Sequence, residues 1–162
     1  TELSRGDDLR GRRVLEIGCG LGLPGLAAAA RGADVTFVDA EPAALAFVTA
    51  SAAANALTCA TRVADFFTLD LAPRFDLVLA AEVAYDRARF ADLAAVVVRH
   101  LAPGGVALLA DGYRTDTRAL YQALARLECA VHAVDVRVIE EGRPIPLRIS
   151  AVRRRDIARR PA

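Results

Sequence analysis

The stretch VLEIGCGLGLPGL, from Val14 to Leu26, places four glycines and one proline in an otherwise apolar run. Each glycine costs backbone entropy and packs no side chain, so this density is unfavourable unless the main chain has a special task. The aliphatic residues before Gly18 predict a buried strand, and the residues after Gly22 predict a helix. The pattern therefore predicts that a ligand comes close to the main chain at the turn between them.

Strand and helix patterns alternate outward from this turn. Apolar runs predict strands at 12–18, 33–39, 58–65, 75–82 and 106–112. Helical spacing and end signals predict helices at 23–32, 41–55, 89–105 and 116–128. Two further strands, 130–139 and 145–154, are joined by a short turn and predict an antiparallel hairpin. We therefore predict a doubly wound α/β fold, with helices on both faces of a mostly parallel sheet.

Composition limits the classes of protein. The 162 residues suit a single domain over 1–162, and the formal net charge of +1 gives no field that would recruit nucleic acid or a membrane surface. The three cysteines lie far apart and have no metal-site spacing, which predicts a reducing, cytoplasmic compartment and no metal. The chain begins at Thr1 with little sequence before Val14, so we expect an N-terminal segment to be missing. The oligomeric state is left open.

Two ligands compete for the glycine-rich turn. Asp39 ends the second predicted strand, where a carboxylate can accept both hydroxyls of a ribose. Counted from Gly20 to Gly25, the spacing matches the dinucleotide fingerprint. Counted from Gly18 to Gly22, glycines alternate after the in-strand acid Glu16. A pyrophosphate is poorly placed beside Glu16, whereas an ammonium group can be held by that acid directly or through water. This difference favours a ligand that carries an ammonium group over a dinucleotide.

The spacing of Gly18 to Gly22 after Glu16 resembles motif I of the class I S-adenosylmethionine-dependent methyltransferases. The segments VADFF (63–67), FDLVLAAEVAYD (75–86) and LAPGGVALLAD (101–111) resemble later motifs of that family. The resemblance covers about residues 12 to 152. It implies a Rossmann-like, seven-stranded fold, with S-adenosylmethionine as cofactor and S-adenosylhomocysteine as product.

The resemblance also implies that the cofactor is held at successive strand ends. Asp65 then accepts from the adenine amino group, and Phe66 packs on the adenine ring. The implied cofactor-binding residues are Glu16, Gly18, Gly20, Gly22, Asp39, Ala40, Asp65, Phe66 and Ala81.

A narrower resemblance concerns the methyl acceptor. The segments 15–48 and 77–86 resemble methyltransferase family 16, which includes protein lysine methyltransferases. The acid-x-x-aromatic motif of that group matches Glu82-Val83-Ala84-Tyr85. It implies that Glu82 orients the incoming amine and that Tyr85 lines its channel. The alternatives are an acid at a helix start for Glu82 and a packing residue for Tyr85.

The acceptor itself follows only from the resemblance. It implies a protein lysine side chain, and the alternatives are a small-molecule N-methyltransferase or a non-catalytic module that keeps the cofactor. Asp111, Tyr113 and Arg114 follow the fifth predicted strand and are expected to line the acceptor side. We expect no nucleic-acid partner and no membrane association.

Overall fold

The computed structural model describes residues 8–113, 115–140 and 142–155. In chain order the strands are β1 (Arg13–Ile17), β2 (Asp34–Asp39), β3 (Ala60–Val63), β4 (Phe75–Ala81), β5 (Leu101–Asp111), β6 (Cys129–Glu140) and β7 (Arg143–Arg154). They form one seven-stranded sheet in the order β3-β2-β1-β4-β5-β7-β6. The first five strands are parallel, and β7 runs antiparallel to both of its neighbours. The predicted Rossmann-like fold with a C-terminal antiparallel hairpin is confirmed.

Within the described residues, four α-helices connect the strands: α1 (Leu23–Ala29), α2 (Pro42–Ala54), α3 (Phe90–His100) and α4 (Arg118–Arg126). Helices α1 and α2 each have a proline in the first turn, where the missing N–H would have no helical partner. A short 3₁₀ turn, Arg87–Arg89, precedes α3. No helix in the described part of the chain has the length and apolar character needed to cross a bilayer.

The core lies on both faces of the sheet. Successive strand residues point to opposite faces, so Leu15 of β1 packs in a cluster with Leu93 of α3. Its neighbour Val14 packs in a second cluster with Val48 of α2. All four side chains are almost fully buried. The two-sided apolar pattern of the strands therefore predicted the layering correctly.

The largest error among the predicted boundaries lies between α3 and β5. The helix expected over 89–105 ends at His100, and β5 begins at Leu101 instead of residue 106. Leu101 pairs with Phe75 and Val106 pairs with Leu77, so the Pro-Gly-Gly segment makes a register shift inside the strand pairing. A side chain at Gly105 would lie 2.9 Å from the carbonyl oxygen of Phe75. The glycine thus allows a close approach of two backbones and is not a helix end.

The C-terminal end of α3 holds the loop that follows β3. Leu71 N donates to Nε2 of His100 at 3.2 Å, and Nδ1 of His100 lies 2.8 Å from the carbonyl oxygen of Val96. Burial lowers the pKa of His100, which favours the neutral ring that this pair of contacts needs. Arg99 Nη2 donates to the carbonyl oxygen of Phe67 at 3.1 Å. These bonds hold Phe67 and Leu71, on the loop that also carries Asp65 and Phe66, against α3.

The strand order reverses between β1 and β4. The chain continues from β1 to β2 on one side and from β4 to β5 on the other. In sheets of this kind, ligands bind outside the carboxyl ends of the strands at this reversal. The residues that follow are Gly18 after β1 and Glu82 after β4, which places the two predicted motifs at one crevice.

Candidate active site

The glycine-rich turn lies across the end of β2. Gly20 N donates to Oδ2 of Asp39 at 2.8 Å, and Cys19 N donates to the carbonyl oxygen of Val38 at 3.1 Å. Gly22 N closes the turn by donating to the carbonyl oxygen of Cys19 at 2.7 Å. The predicted meeting of the turn with the acid at the end of the second strand is therefore present.

The glycines of the turn have two different tasks. A Cβ on Gly20, where φ is +51°, would meet no heavy atom within 4 Å. A Cβ on Gly18 would lie 2.7 Å from Val83, and one on Gly22 would lie 2.6 Å from Val48. Of the three, Gly20 borders open space, and the absence of a side chain at Gly18 and Gly22 leaves room for buried valines. The predicted approach of a ligand to the backbone of all three glycines stays a prediction.

Glu16 lies behind the turn rather than in it. Its side chain is 1% exposed, and Oε2 accepts from Gly25 N, in the first turn of α1, at 2.8 Å. Burial raises its pKa from 4.5 to about 7, and the bond from Gly25 opposes that rise. The burial does not support the predicted direct contact with an ammonium group. The charge of an ionised Glu16 can still act across the turn, because the surroundings screen it weakly.

Cys19 is a packing residue between two carboxylates. Burial raises the pKa of its thiol to about 12, and the charges of Glu16 and Asp39 contribute to the rise. A thiol that stays protonated is a poor nucleophile. The raised pKa therefore argues against a nucleophilic role for Cys19.

Carboxylates lie at the ends of β2 and β3, as predicted. Oδ1 of Asp39 accepts from Glu41 N at 3.0 Å, and Ala64 N donates to the carbonyl oxygen of Asp39 at 2.9 Å. Asp65 is exposed, and its Oδ1 accepts from Phe67 N at 2.9 Å. Each carboxylate oxygen can accept more than one hydrogen bond, so both acids can also bind a ligand.

Phe66 is almost buried, beside the glycine-rich turn. It is 9% exposed and packs in the core beside Val83, with its ring 3.4 Å from the Cβ position of Gly18. The predicted stacking of Phe66 on adenine stays a prediction. The neighbouring Phe67 lines a cavity of about 130 Å³, and the Arg89 guanidinium lies 3.5 Å from its ring centroid.

Sequence reasoning missed Phe67. The one signal that pointed to it is its position two residues after Asp65, the spacing of a turn in which the aspartate accepts from the backbone. In this turn Phe67 N donates to Oδ1 of Asp65.

Glu82 follows β4 in a strained backbone conformation. Its N–H donates to the carbonyl oxygen of Ala110 in β5 at 2.8 Å, and its φ is +58°. Residues with a side chain rarely adopt this region. Oε1 lies 3.2 Å from the Cβ position of Gly112, so the carboxylate is placed against the end of β5. Backbone strain that persists beside a crevice is typical of functional residues.

The two alternatives for the acid-x-x-aromatic motif do not hold. The 3₁₀ turn is capped by Asp86, whose Oδ1 accepts from Ala88 N at 3.0 Å, so Glu82 does not start a helix. Tyr85 is 72% exposed, so it is not a packing residue. It lines the same cavity as Phe67.

The expected acceptor side includes a cluster that the sequence did not reveal. Oδ1 of Asp111 accepts from Tyr113 N at 3.2 Å, and the Arg148 guanidinium lies 4.8 Å from the Tyr113 ring centroid. Arg148 also donates twice to Asp135, at 2.7 and 3.1 Å. A hydrogen bond to Asp135 raises the pKa of Tyr113. Arg114, expected in the same region, lies outside the described residues.

Comparisons with known proteins agree with this geometry. The profile of the family described as "Methyltransferase domain" matches residues 14–105, so the chain belongs to that family. With its seven-stranded sheet, it is a class I methyltransferase domain. A solved structure of the N-methyltransferase NodS from Bradyrhizobium japonicum, in complex with S-adenosyl-L-homocysteine, has a TM-score of 0.73 at 19% identity. The match covers 90% of this chain and 79% of the NodS chain, and at this identity it supports the fold alone.

Two curated relatives are more similar in sequence. Protein N-lysine methyltransferase METTL21A of Danio rerio is 37% identical over an alignment of 130 residues, and the match covers 74% of this chain and 59% of that protein. EEF1A lysine methyltransferase 3 of Mus musculus is 34% identical over an alignment of 151 residues, and the match covers 83% of this chain and 62% of that protein. The chain thus spans about three fifths of the length of these relatives.

The residues at the crevice fit the S-adenosylmethionine of this family. An open backbone position at Gly20 lies beside the carboxylate of Asp39, which suits the hydroxyls of a ribose. Ala40 is exposed at the end of β2, and Ala81 is half-buried at the end of β4, so both leave space. The predicted contacts of Asp65, Ala40 and Ala81 with the cofactor remain predictions.

Asp39→Ala is expected to weaken the binding of S-adenosylhomocysteine by about 10²-fold. The change removes the charged acceptor of two ribose hydroxyls, and bonds to charged groups are worth about 1.5–3 kcal/mol each. Isothermal titration calorimetry measures the affinity, and Asp34→Ala at the exposed opposite end of β2 is the matched control. Unchanged affinity in Asp39→Ala, with normal affinity in the control, would show that the ribose contact is misassigned.

Proposed function

We propose that this chain is the catalytic domain of an S-adenosylmethionine-dependent N-methyltransferase whose acceptor is a lysine side chain of another protein. The observation that supports it most is the acid-x-x-aromatic motif at the crevice, with Glu82 held in a strained conformation against β5. The similarity to two protein lysine methyltransferases supports the choice of acceptor.

The first task of the chain is to hold the cofactor. In this proposal Asp39 accepts from the ribose, Asp65 accepts from the adenine amino group, and the buried charge of Glu16 attracts the ammonium group. When bound, S-adenosylmethionine supplies a methyl group that is already activated by its positive sulfur. Alignment is then the main contribution of the protein, and it is worth on the order of 7–11 kcal/mol.

The second task is to bring a neutral amine to the methyl group. Free lysine has a pKa of about 10.4, so its ammonium must lose a proton, which leaves to water before the transfer. The carboxylate of Glu82 accepts a hydrogen bond from the amine and so directs the nitrogen lone pair into the crevice. It also stabilises the positive charge that develops on nitrogen as the new bond forms. Tyr85 offers a ring face for a cation near the entrance.

Incubation with radiolabelled S-adenosylmethionine and a cell lysate tests the proposal. The expected result is label in protein bands, recovered as methyl-lysine after hydrolysis. The chain itself contains no lysine, so labelled lysine must belong to another protein. Label in small molecules alone would favour a small-molecule N-methyltransferase, and no label with retained cofactor binding would favour a non-catalytic module.

Two variants make this assay specific for the crevice. Asp39→Ala should lose the labelling, and Asp34→Ala should retain it, because the two aspartates lie at opposite ends of β2. Equal labelling by both variants would indicate a contaminating enzyme and contradict the proposal.

A further inference from the structure

The hairpin of β6 and β7 extends beyond the rest of the sheet. The pairing of β5 with β7 ends at Asp111 and Arg148. The pairing of β6 with β7 continues for five more residue pairs, from Val136 with Leu147 to Glu140 with Arg143. We call these residues, 136–140 and 143–147, the arm. At about 3.3 Å per residue the arm is roughly 17 Å long.

The arm projects past the carboxyl ends of the parallel strands, where the candidate active site lies. Asp111 is the last residue of β5, so the arm begins where β5 ends. The glycine-rich turn and Glu82 follow the carboxyl ends of β1 and β4, at this same end of the sheet.

Contacts connect the base of the arm to Glu82. The Glu82 carboxylate lies against Gly112, and the next residue, Tyr113, packs its ring under the Arg148 guanidinium. Arg148 pairs with Asp135 across the hairpin, directly below the arm. The acceptor side of the crevice and the arm are therefore one continuous surface.

The two edges of the arm differ in their ability to pair with another strand. Pro144 and Pro146 have no N–H, yet the pairing with β6 continues across both, so their nitrogens face away from β6. Along the arm, the edge of β7 that faces away from β6 therefore lacks N–H donors. Residues of β6 opposite these prolines, Ile139 and Arg137, have their N–H groups on the outer edge by the same alternation.

No described residue of the chain pairs with the outer edge of β6. Within the described residues β6 is the last strand of the sheet, and it contains neither proline nor glycine. Its apolar side chains are exposed, with Val134 at 46%, Val138 at 43% and Ile139 at 72%. Proteins usually protect such an edge, because it can pair with another chain. An open edge with exposed apolar side chains matches the way in which extended peptides add to a sheet.

We propose that the outer edge of β6 along the arm binds an extended segment of the methyl-accepting protein as an added strand. The proposal rests on the proposed function. A surface that reaches roughly 17 Å past the crevice exceeds what a small acceptor can contact and matches about five residues of an extended chain. The added strand lies two strand positions beyond β7, so the lysine reaches Glu82 through the residues that lead from that strand past the Tyr113–Arg148 contact at the base of the arm.

Arg137→Pro tests the proposal, because it removes one outward N–H without breaking the bonds to β7. In the lysate assay we expect protein labelling to fall about tenfold, with unchanged affinity for S-adenosylhomocysteine and unchanged melting temperature. Arg137→Gln keeps the N–H and removes the charge, so it should label normally. Ala133→Pro makes the same change on the same edge where β5 still supports the hairpin, and it should also label normally.

The outcomes separate the two proposals. If the unchanged chain labels no protein, the proposed function fails, and the docking role of the arm fails with it. If it labels protein and Arg137→Pro labels equally well, only the docking role is overturned. An equal loss in Arg137→Gln would assign the effect to the guanidinium and also overturn strand addition. A dimer in size-exclusion chromatography that Arg137→Pro converts to a monomer would show that the edge binds a second copy instead.

If Arg137→Pro fails to fold, a shortened arm takes its place. An Asn-Gly turn between Val136 and Leu147 keeps a paired position and suits a two-residue hairpin. The shortened chain should bind S-adenosylhomocysteine normally and lose protein labelling, and normal labelling would overturn the proposal.

Discussion

Glu82→Gln is expected to lower the rate of lysine methylation by about 10²–10³-fold, the effect of removing one charge-stabilising group from an active site. Glutamine keeps the shape of the side chain and a hydrogen-bond acceptor but has no negative charge. The amine can still enter, but the positive charge that forms on nitrogen is no longer balanced. Single-turnover assays with labelled cofactor measure the rate, and titration with S-adenosylhomocysteine should show unchanged affinity.

Glu128→Gln is the matched control for this experiment. Glu128 is also an exposed glutamate with a left-handed backbone, with φ of +57° against +58° for Glu82. It precedes β6 at the opposite edge of the sheet, where Cys129 pairs with Arg154. Normal methylation by Glu82→Gln, or an equal loss in Glu128→Gln, would remove the assigned role of Glu82.

Glu16→Gln is expected to stabilise the cofactor-free chain by about 3 kcal/mol at pH 8.5 and to have little effect at pH 4, since one pKa unit corresponds to about 1.4 kcal/mol. The reason is the pKa of Glu16, which burial raises from 4.5 to about 7. The folded chain holds the proton more tightly than the unfolded chain does. The resulting stability is fully present below about pH 4.5 and is lost as the pH rises through about 7. Glutamine cannot ionise, and its amide oxygen can still accept from Gly25.

Urea unfolding at the two pH values measures this effect. Glu41→Gln, at an exposed glutamate beside the same crevice, is the control and should change stability little at either pH. Saturation with S-adenosylhomocysteine should reduce the advantage of Glu16→Gln, because the ammonium group favours the ionised acid. An equal change in stability at both pH values would contradict the buried-acid explanation.

Local patterns predicted the parallel strands well. The bounds of β1, β2 and β4 lie within one residue of the expected ranges, because their apolar runs are compact and bounded by glycine or charged residues. The α3–β5 boundary was wrong by about five residues, since the Pro-Gly-Gly segment resembles a helix end but lies within strand pairing. Pairing between distant segments decided that boundary, and no local pattern reveals it.

The candidate site could also be predicted only in part, because contacts between distant segments shape it. The sequence placed carboxylates at the ends of successive strands, and the strand order brings Asp39 and Asp65 to neighbouring positions. The sequence did not reveal whether Phe66 or Phe67 is buried, or that Glu16 is buried and accepts a hydrogen bond from Gly25 of α1. Both depend on the direction of a side chain after a turn, which the surrounding packing decides.

The sequence by itself determined the alternation of strands and helices, the glycine-rich turn and the order of acids along the chain. These follow from the spacing of apolar residues and from the conformations that glycine and proline allow. Only the tertiary structure decided that Gly20 borders open space, that Glu82 lies against Gly112, and that the hairpin outreaches β5. These features depend on the register between segments that are far apart in the chain, and register is set by the packing of the whole sheet.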